Sequence, residues 1–300
     1  MVLLQDEAHG DRVIFGKSFK AIGAYGPAVF AAILAGVPAA RAQTPSPLQE
    51  WQYSSGIALQ RLFEPDRPDW QIVMGAAVEH KPIYDGAELT RTIGGPVINI
   101  RYKDLWFASI GEGIGVNLWS GDHYRAGLAL GYDLGRYVHD DVTHLTGLGD
   151  LKIAAAPKAF ISYVISKSFP LVVRADVRQI IGGADGLLAD LGAYMPIPGS
   201  SQRFVMFAGP SYTYADHRYM QREFGVTTTQ SEASGYPVYD AHSGSDAMGF
   251  GFSSTFFITK KILLNFDAAI NHLLGSAGES PITQRVTQHV FVLSVAYSWQ

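Results

Sequence analysis

Gln288-His289-Val290-Phe291-Val292-Leu293-Ser294-Val295-Ala296-Tyr297-Ser298-Trp299-Gln300 ends the chain. Taken in steps of two, Phe291, Leu293, Val295, Tyr297 and Trp299 fall on one side, and Val292, Ser294, Ala296 and Ser298 on the other. A period of two describes a strand with one greasy face and one small or polar face. A soluble sheet can show the same alternation, but this run closes on aromatics, where membrane barrels carry an interfacial girdle. The expectation is the closing strand of an outer-membrane barrel. Its edge must pair with the first strand, because an open edge in hydrocarbon leaves unpaired backbone groups that cost several kcal/mol each. Its apolar parity is then what the barrel assembly machinery reads, with Tyr297 and Trp299 at the periplasmic interface.

The pattern repeats. About a dozen alternating segments follow Trp51, at roughly 51–63, 70–80, 96–103, 105–118, 123–135, 150–165, 168–180, 187–197, 202–215, 247–258, 261–273 and 286–299. Most reach the roughly 9–11 residues that a tilted transmembrane strand needs. In the fifth, Tyr124, Ala126, Leu128, Leu130 and Tyr132 alternate with Arg125, Gly127, Ala129, Gly131 and Asp133. The bulk of the apolar face decides its direction: those aromatics would crowd a closed interior, while Gly, Ala and Ser dominate the other face. The fold class expected is all-β, a transmembrane antiparallel up-and-down barrel of about 12 strands. Leu128 then meets lipid and Ala129 the lumen, where a wet interior would accept a larger polar residue.

Composition agrees with this reading. Of 300 residues, 47% are hydrophobic and 17% charged, the net charge is -4 and mean hydropathy is +0.08. That balance argues against a nucleic-acid partner. The absence of cysteine excludes disulfides, thiolate metal sites and a Cys nucleophile. Near the N-terminus Lys17 and Lys20 lead into the apolar run Ala21 to Val37, followed by Pro38-Ala39-Ala40-Arg41-Ala42-Gln43. A basic flank, an apolar core and an Ala-x-Ala ending describe a secretory signal over 1–42, cleaved between Ala42 and Gln43. Residues 43–50 form a short lead-in and 51–300 the barrel.

Connection lengths give an independent check. Ser120-Gly121-Asp122, Ser166-Lys167, Gly199-Ser200-Ser201 and Thr259-Lys260 are short joints, and 136–149, 216–246 and 274–285 are long ones. Short turns on one rim and long loops on the other is the outer-membrane layout, with both termini in the periplasm. Two features resist. The segment 81–95 counts as a long connection on the short-turn rim, and Glu112 shares the lipid parity of Trp106, Ile110, Ile114 and Val116. A bulge at Gly111 or Gly113 would turn that carboxylate inward.

Little in the chain suggests chemistry. His139-Asp140-Asp141 and His144 resemble loose metal ligands, but a polar loop imposes no coordination geometry, so neither metal nor cofactor is expected. Gly111-x-Gly113-x-Gly115 has no helix after it and reads as small lumen-facing residues. No Gly-x-Ser-x-Gly elbow occurs and His272 sits on an apolar parity. No enzyme is expected, an outer-membrane hydrolase being the remote alternative. Arg101, Arg125, Lys152, Lys158, Arg174, Arg178, Arg203, Asp133, Asp176, Asp190 and Asp267 share the small-residue parity. Such charges either line a channel or pair and plug the lumen, and twelve strands lie between the filled and the open barrel sizes.

Gly135-Arg136, then Leu145-x-Gly147-Leu148-Gly149-Asp150, Tyr219-Met220-x-x-x-Phe224-Gly225-Val226, Ser234-Gly235 with Tyr239, and Glu279-Ser280-Pro281-Ile282-Thr283 follow in order. In that order and spacing the chain resembles the MipA/OmpV family of outer-membrane proteins, from about Trp51 onward. The resemblance implies an outer-membrane location and a scaffold joining a periplasmic lytic transglycosylase to a murein synthase in cell-wall maintenance. Other members look like porins or adhesins. It implies no catalytic residues, and the glycines and Pro281 have a simpler role in turning the chain. A scaffold would meet its partners at the short-turn rim and segment 81–95. The acidic stretch before Lys17 and the Gln300 after the last aromatic depart from the family pattern. The mature protein is expected to begin at Gln43: the intact mass of the membrane-embedded form should match residues 43–300, and a mass retaining Met1 to Ala42 would contradict the signal reading.

Overall fold

A chain that crosses lipid with strands has no water to satisfy its backbone, so every strand needs two neighbours. The computed structural model describes residues 69–299 apart from 104, 122, 166–170 and 202. The signal, the lead-in and the expected strand 51–63 lie outside the described residues, as does Gln300. Twelve strands follow: β1 (Trp70–Pro82), β2 (Thr90–Tyr102), β3 (Trp106–Ser109), β4 (Gly113–Ser120), β5 (Tyr124–Asp133), β6 (Ala154–Val164), β7 (Val172–Ile180), β8 (Gly186–Pro196), β9 (Phe204–Ala215), β10 (Gly244–Phe257), β11 (Ile262–Leu273) and β12 (Thr287–Trp299). Each pairs with its sequence neighbours, and β12 returns to β1 in antiparallel register from Ile72↔Trp299 to His80↔Phe291, closing the barrel. Among the described residues no helix is long and apolar enough to cross a membrane.

The two faces separate as the alternation requires. On β12, Phe291, Leu293, Val295 and Trp299 are exposed while Val292, Ser294, Ala296 and Ser298 are buried. Leu128, Phe250, Phe266 and Ile270 stand exposed on the same outer surface. An exposed apolar band of this extent is what a lipid-embedded barrel presents. Aromatics gather where β1, β2 and β12 reach the short-turn rim: Trp70 lies 4.8 Å from Tyr102 and 5.6 Å from Trp106, and Tyr297 4.5 Å from Trp299. Beside them Lys103 and Lys261 sit over the Tyr102 and Tyr297 rings. Amphipathic rings capped by cations suit a membrane–water boundary.

The segment 105–118, expected as one strand, is two. Gly113 has φ +80°, and β3 turns back into β4 with Ser109 opposite Gly113. A Cβ on Gly113 would stand 2.2 Å from the Leu130 carbonyl oxygen, so only glycine fits that close approach. The extra strand shifts the count by one. Loop 83–89 therefore lies on the long-loop rim with 134–153, 216–243 and 274–286, and not on the short-turn rim as the sequence count of 81–95 implied.

The short hairpin leaves a notch. Pairing of β2 with β3 runs only from Asn99 to Tyr102, while β2 continues to Thr90. The Ile98 carbonyl accepts from Ile110 N at 3.2 Å, so the alternate residues Pro96, Gly94 and Thr92 turn their backbone groups toward the notch. Pro96 brings no N–H there to leave unpaired. Above, Arg91 near the start of β2 reaches Asp140 of loop 134–153 at 3.4 Å.

The lumen beside β5 is packed: Ala129 is buried against Phe107 and Phe160, and a Cβ on Gly115 would stand 2.3 Å from the Phe107 ring. Of the two interiors that periodicity leaves open, the filled one is found beside Ala129. Leu128→Arg should destabilise the folded barrel by roughly 2–4 kcal/mol near the midplane, and Ala129→Arg should also impair folding through overpacking. Heat-modifiable gel mobility of the two variants checks this. Normal folding of Ala129→Arg would contradict the packed interior.

Candidate functional site

Inward-facing charges on a barrel wall must find partners or water. Here several find partners. The tip of the β3–β4 hairpin delivers Glu112 into the lumen, which answers its apparent lipid parity: Arg101 from β2 grips one carboxylate oxygen and Arg174 from β7 reaches the other at 3.2 Å. Each guanidinium also lies on an aromatic face, Arg101 5.2 Å from the Phe107 ring and Arg174 5.3 Å from the Phe160 ring. The two phenylalanines meet edge-on at 5.8 Å. Carboxylate, arginines and rings thus form one plug across the barrel, the rings shielding the ion pairs from water.

Further pairs extend this interior. Arg178 lies 3.3 Å from Asp190, which accepts from Thr213 Oγ1 at 2.7 Å. Asp267 accepts from Ser253 and from Asn265, both at 2.5 Å, and Asn265 accepts from Thr255 at 2.7 Å. Lys158 and Asp176 are buried in the same space. Lys152 and Arg203, assigned to the inner parity by sequence, are exposed instead. Lys152 precedes β6, and Arg203 precedes β9 with its guanidinium over the Phe256 ring, so neither sits where strand alternation holds.

The long loops fold into a cap over the upper rim. They carry four short helices, two of four residues and two of seven: α1 (Val142–Leu145), α2 (His217–Glu223), α3 (Thr228–Ser234) and α4 (Gly275–Gly278). Asp216 caps α2 by accepting from Tyr219 N at 2.8 Å, and Thr227 with Gln230 forms a capping box on α3. Ile83, Tyr84, Ala87, Leu145, Leu148, Val226 and Ile282, drawn from four different loops, form a single buried cluster.

The quoted motifs converge there. Gly135 turns at φ +70°, where a Cβ would strike the Leu151 carbonyl, Arg136 bridges to Leu151, and Arg136 Nη1 donates to the Glu223 carbonyl at 2.5 Å. Gly147 turns at φ +87°, where a Cβ would strike Ala233 of α3. Gly149 is also left-handed, and Asp150 accepts from Val138 N at 2.8 Å. Tyr219 and Phe224 are buried with Met220, and Gly225 lies against Gln221. Ser280 Oγ donates to the Phe224 carbonyl at 2.6 Å, beside Pro281 and the buried Ile282. Gln288 Nε2 donates to the carbonyls of Tyr84 and Ala87, tying the cap to the closing strand. Residues that the sequence spreads from 135 to 283 therefore assemble the cap, on the rim opposite the one where a periplasmic scaffold surface was expected.

The loop residues His139, Asp140, Asp141 and His144 serve local contacts. His144 Nδ1 lies 2.8 Å from Asp141, which caps α1, while Asp140 takes Arg91. His272 pairs with Thr287 across β11 and β12 at 2.7 Å. A grouping missed in the sequence is His217, Asp240 and His242 on the outer face of the cap. The 23-residue interval between the first two gave no spacing signal, because only the fold of loop 216–243 brings them together.

Two acids within the cap, buried Glu223 and half-buried Asp85, should make it sensitive to pH. Burial raises Glu223 from its ordinary 4.5 to about 7, with Asp133 and Asp85 adding to the effect and Arg136 opposing it. Burial likewise raises Asp85 to about 6, again with Asp133 adding. An acid with a raised folded pKa favours the fold fully below its unfolded pKa, and that contribution is lost as pH rises through the folded value. Their contribution to the cap should therefore be complete below about pH 4 and be lost progressively as pH rises to about 7. Hydrogen exchange of the α2 amides, corrected for intrinsic rates, should show less protection at pH 8 than at pH 5. Glu223→Gln should flatten much of that change, and an unaltered profile would count against Glu223 as a source.

The family model described as "MltA-interacting protein MipA" matches residues 74–299. No curated protein matches the chain. Among solved structures the chain is similar to the CymD monoaromatic hydrocarbon channel, at 8% identity over 90% of this chain and 96% of that one, with a TM-score of 0.41. It is also similar to the Pseudomonas putida toluene transporter TodX, at 12% identity over 86% and 96%, with a TM-score of 0.37.

Proposed function

The chain belongs to the MltA-interacting protein MipA family, and from that premise we propose that it is a closed outer-membrane barrel acting as a scaffold rather than a pore. The observation that carries this reading is the plugged interior. Glu112 is clamped by Arg101 and Arg174 against Phe107 and Phe160, and a folded cap lies above. A lumen filled by mutually paired side chains offers solute no path, so function passes to the two ends of the barrel.

The partners proposed are a lytic transglycosylase and a murein synthase, held at the periplasmic rim. This rim is built of the short turns and carries exposed Lys103, Arg203, Lys260 and Lys261. The cap faces outward and holds no part of that surface, so segment 81–95 leaves the scaffold hypothesis. Removing cations from a rim weakens association mainly through encounter rate and salt dependence.

The test uses the full barrel refolded into liposomes. Fusion with a planar bilayer should give no steady conductance, and the liposomes should retain a purified lytic transglycosylase at low salt. Charge reversal at Lys103, Lys260 and Lys261 together should reduce that retention several-fold without altering barrel mobility on gels. Steady open levels, or retention indifferent to the rim charges, would contradict the scaffold assignment.

A further inference from the structure

Loop 216–243 brings together three exposed side chains of metal-ligating type near its two ends. His217 is the first residue of α2, directly after its capping Asp216. Asp240 and His242 lie two positions apart with buried Ala241 between them, so their side chains share one side of the segment. One ligand atom from each of the three residues lies within 4.8 Å of the others, and all three side chains are exposed on the outer face of the cap.

The second observation concerns orientation. His217 Nδ1 lies 3.0 Å from the Ala241 carbonyl oxygen. A carbonyl only accepts, so Nδ1 carries the proton and Nε2 presents its lone pair outward. Tethering of one ring nitrogen by a backbone carbonyl is how metal-ligating histidines are usually held. The His217 and His242 rings face each other at 25° and 6.5 Å between centroids, and His242 Nδ1 stands 3.9 Å from Asp240 Oδ2. The backbone at His242 is fixed by its N–H to Ser276 Oγ at 3.1 Å, beside α4.

We propose that His217, Asp240 and His242 form a binding site for a divalent transition-metal cation of the zinc type. Two imidazoles and one carboxylate are borderline donors that suit such an ion, with remaining positions open to water. Ligand atoms about 2.0–2.2 Å from a tetrahedral ion stand roughly 3.4 Å apart, so the trio, now within 4.8 Å, needs to contract by up to about 1.4 Å. The exposed side chains can do this by rotation while the backbone stays fixed. Coordination would staple the start of α2 to residues 240–242, locking the longest cap loop at both ends. Neutral imidazole is the ligating form, so binding must weaken as pH falls.

The full-length barrel, refolded in detergent and stripped with EDTA, is titrated with zinc chloride against a chromogenic chelator. The expected result is one saturable zinc per chain at pH 7.5, with much weaker binding at pH 5. His242→Ala and Asp240→Asn should each weaken binding by roughly tenfold or more, and His217→Ala with His242→Ala together should abolish it. His289→Ala, on the barrel wall, should bind as the parent does. Heat-modifiable mobility verifies that each variant is folded. If His217→Ala disturbs the loop, His242→Ala and Asp240→Asn decide alone, because their side chains hold no buried contact. Absence of saturable zinc binding by the parent protein, or undiminished binding by folded His242→Ala and Asp240→Asn, would overturn the site.

Discussion

Closure of the sheet is the constraint from which the rest follows. Each backbone group in hydrocarbon must be paired within the protein, and the run from Ile72↔Trp299 to His80↔Phe291 completes the ring of pairs. Once the ring is closed, every strand has one face toward lipid and one toward a confined interior. The lipid face takes the bulky residues. The interior must then accommodate whatever polar groups the other parity carries, and in this chain those groups include several arginines and carboxylates that are worth burying only as pairs. The Glu112 clamp and the Arg178–Asp190 pair are the result.

Where the ring weakens, the chain compensates locally. The β3–β4 hairpin is too short to cover β2, yet its tip places Glu112 between two arginines that would otherwise face each other in a dry space. The uncovered edge of β2 carries Pro96 and two glycines, and near its start Arg91 holds Asp140 of loop 134–153. The cap is thus joined to the wall both at this notch and through Gln288 at the start of the closing strand. Its buried Glu223 and half-buried Asp85, both with raised pKa values, are why its stability should depend on pH.

Much of the barrel was legible because alternation is a strong signal over ten or more residues. β5, β10, β11 and β12 have the faces read from their sequence, and the short and long joints around them fall on opposite rims as expected. The segment 105–118 was misread because its alternation continues across the Gly111-Glu112-Gly113 turn, so periodicity alone does not reveal the reversal. That omission displaced loop 83–89 to the wrong rim. The cap was illegible for a different reason. Its core residues, such as Leu145, Met220, Phe224 and Ile282, stand singly or in pairs within polar loops, and helices of four to seven residues show no useful period. Inner parity pointed to Arg101, Arg174, Arg178 and Asp190 but not to who pairs with whom, since strand register sets that.

The central claim is that the interior is filled and dry. The chain contains no cysteine, so single cysteines can report on it without background. Ser294→Cys and Ala156→Cys place a thiol on the buried inner face, and Lys260→Cys places one on an exposed turn. With a membrane-impermeant maleimide on the folded barrel, the turn thiol should label at once. The two inner thiols should stay unlabelled until the protein is unfolded. Labelling of Ser294→Cys and Ala156→Cys at the rate of Lys260→Cys in the folded state would mean a water-filled channel and would contradict the account.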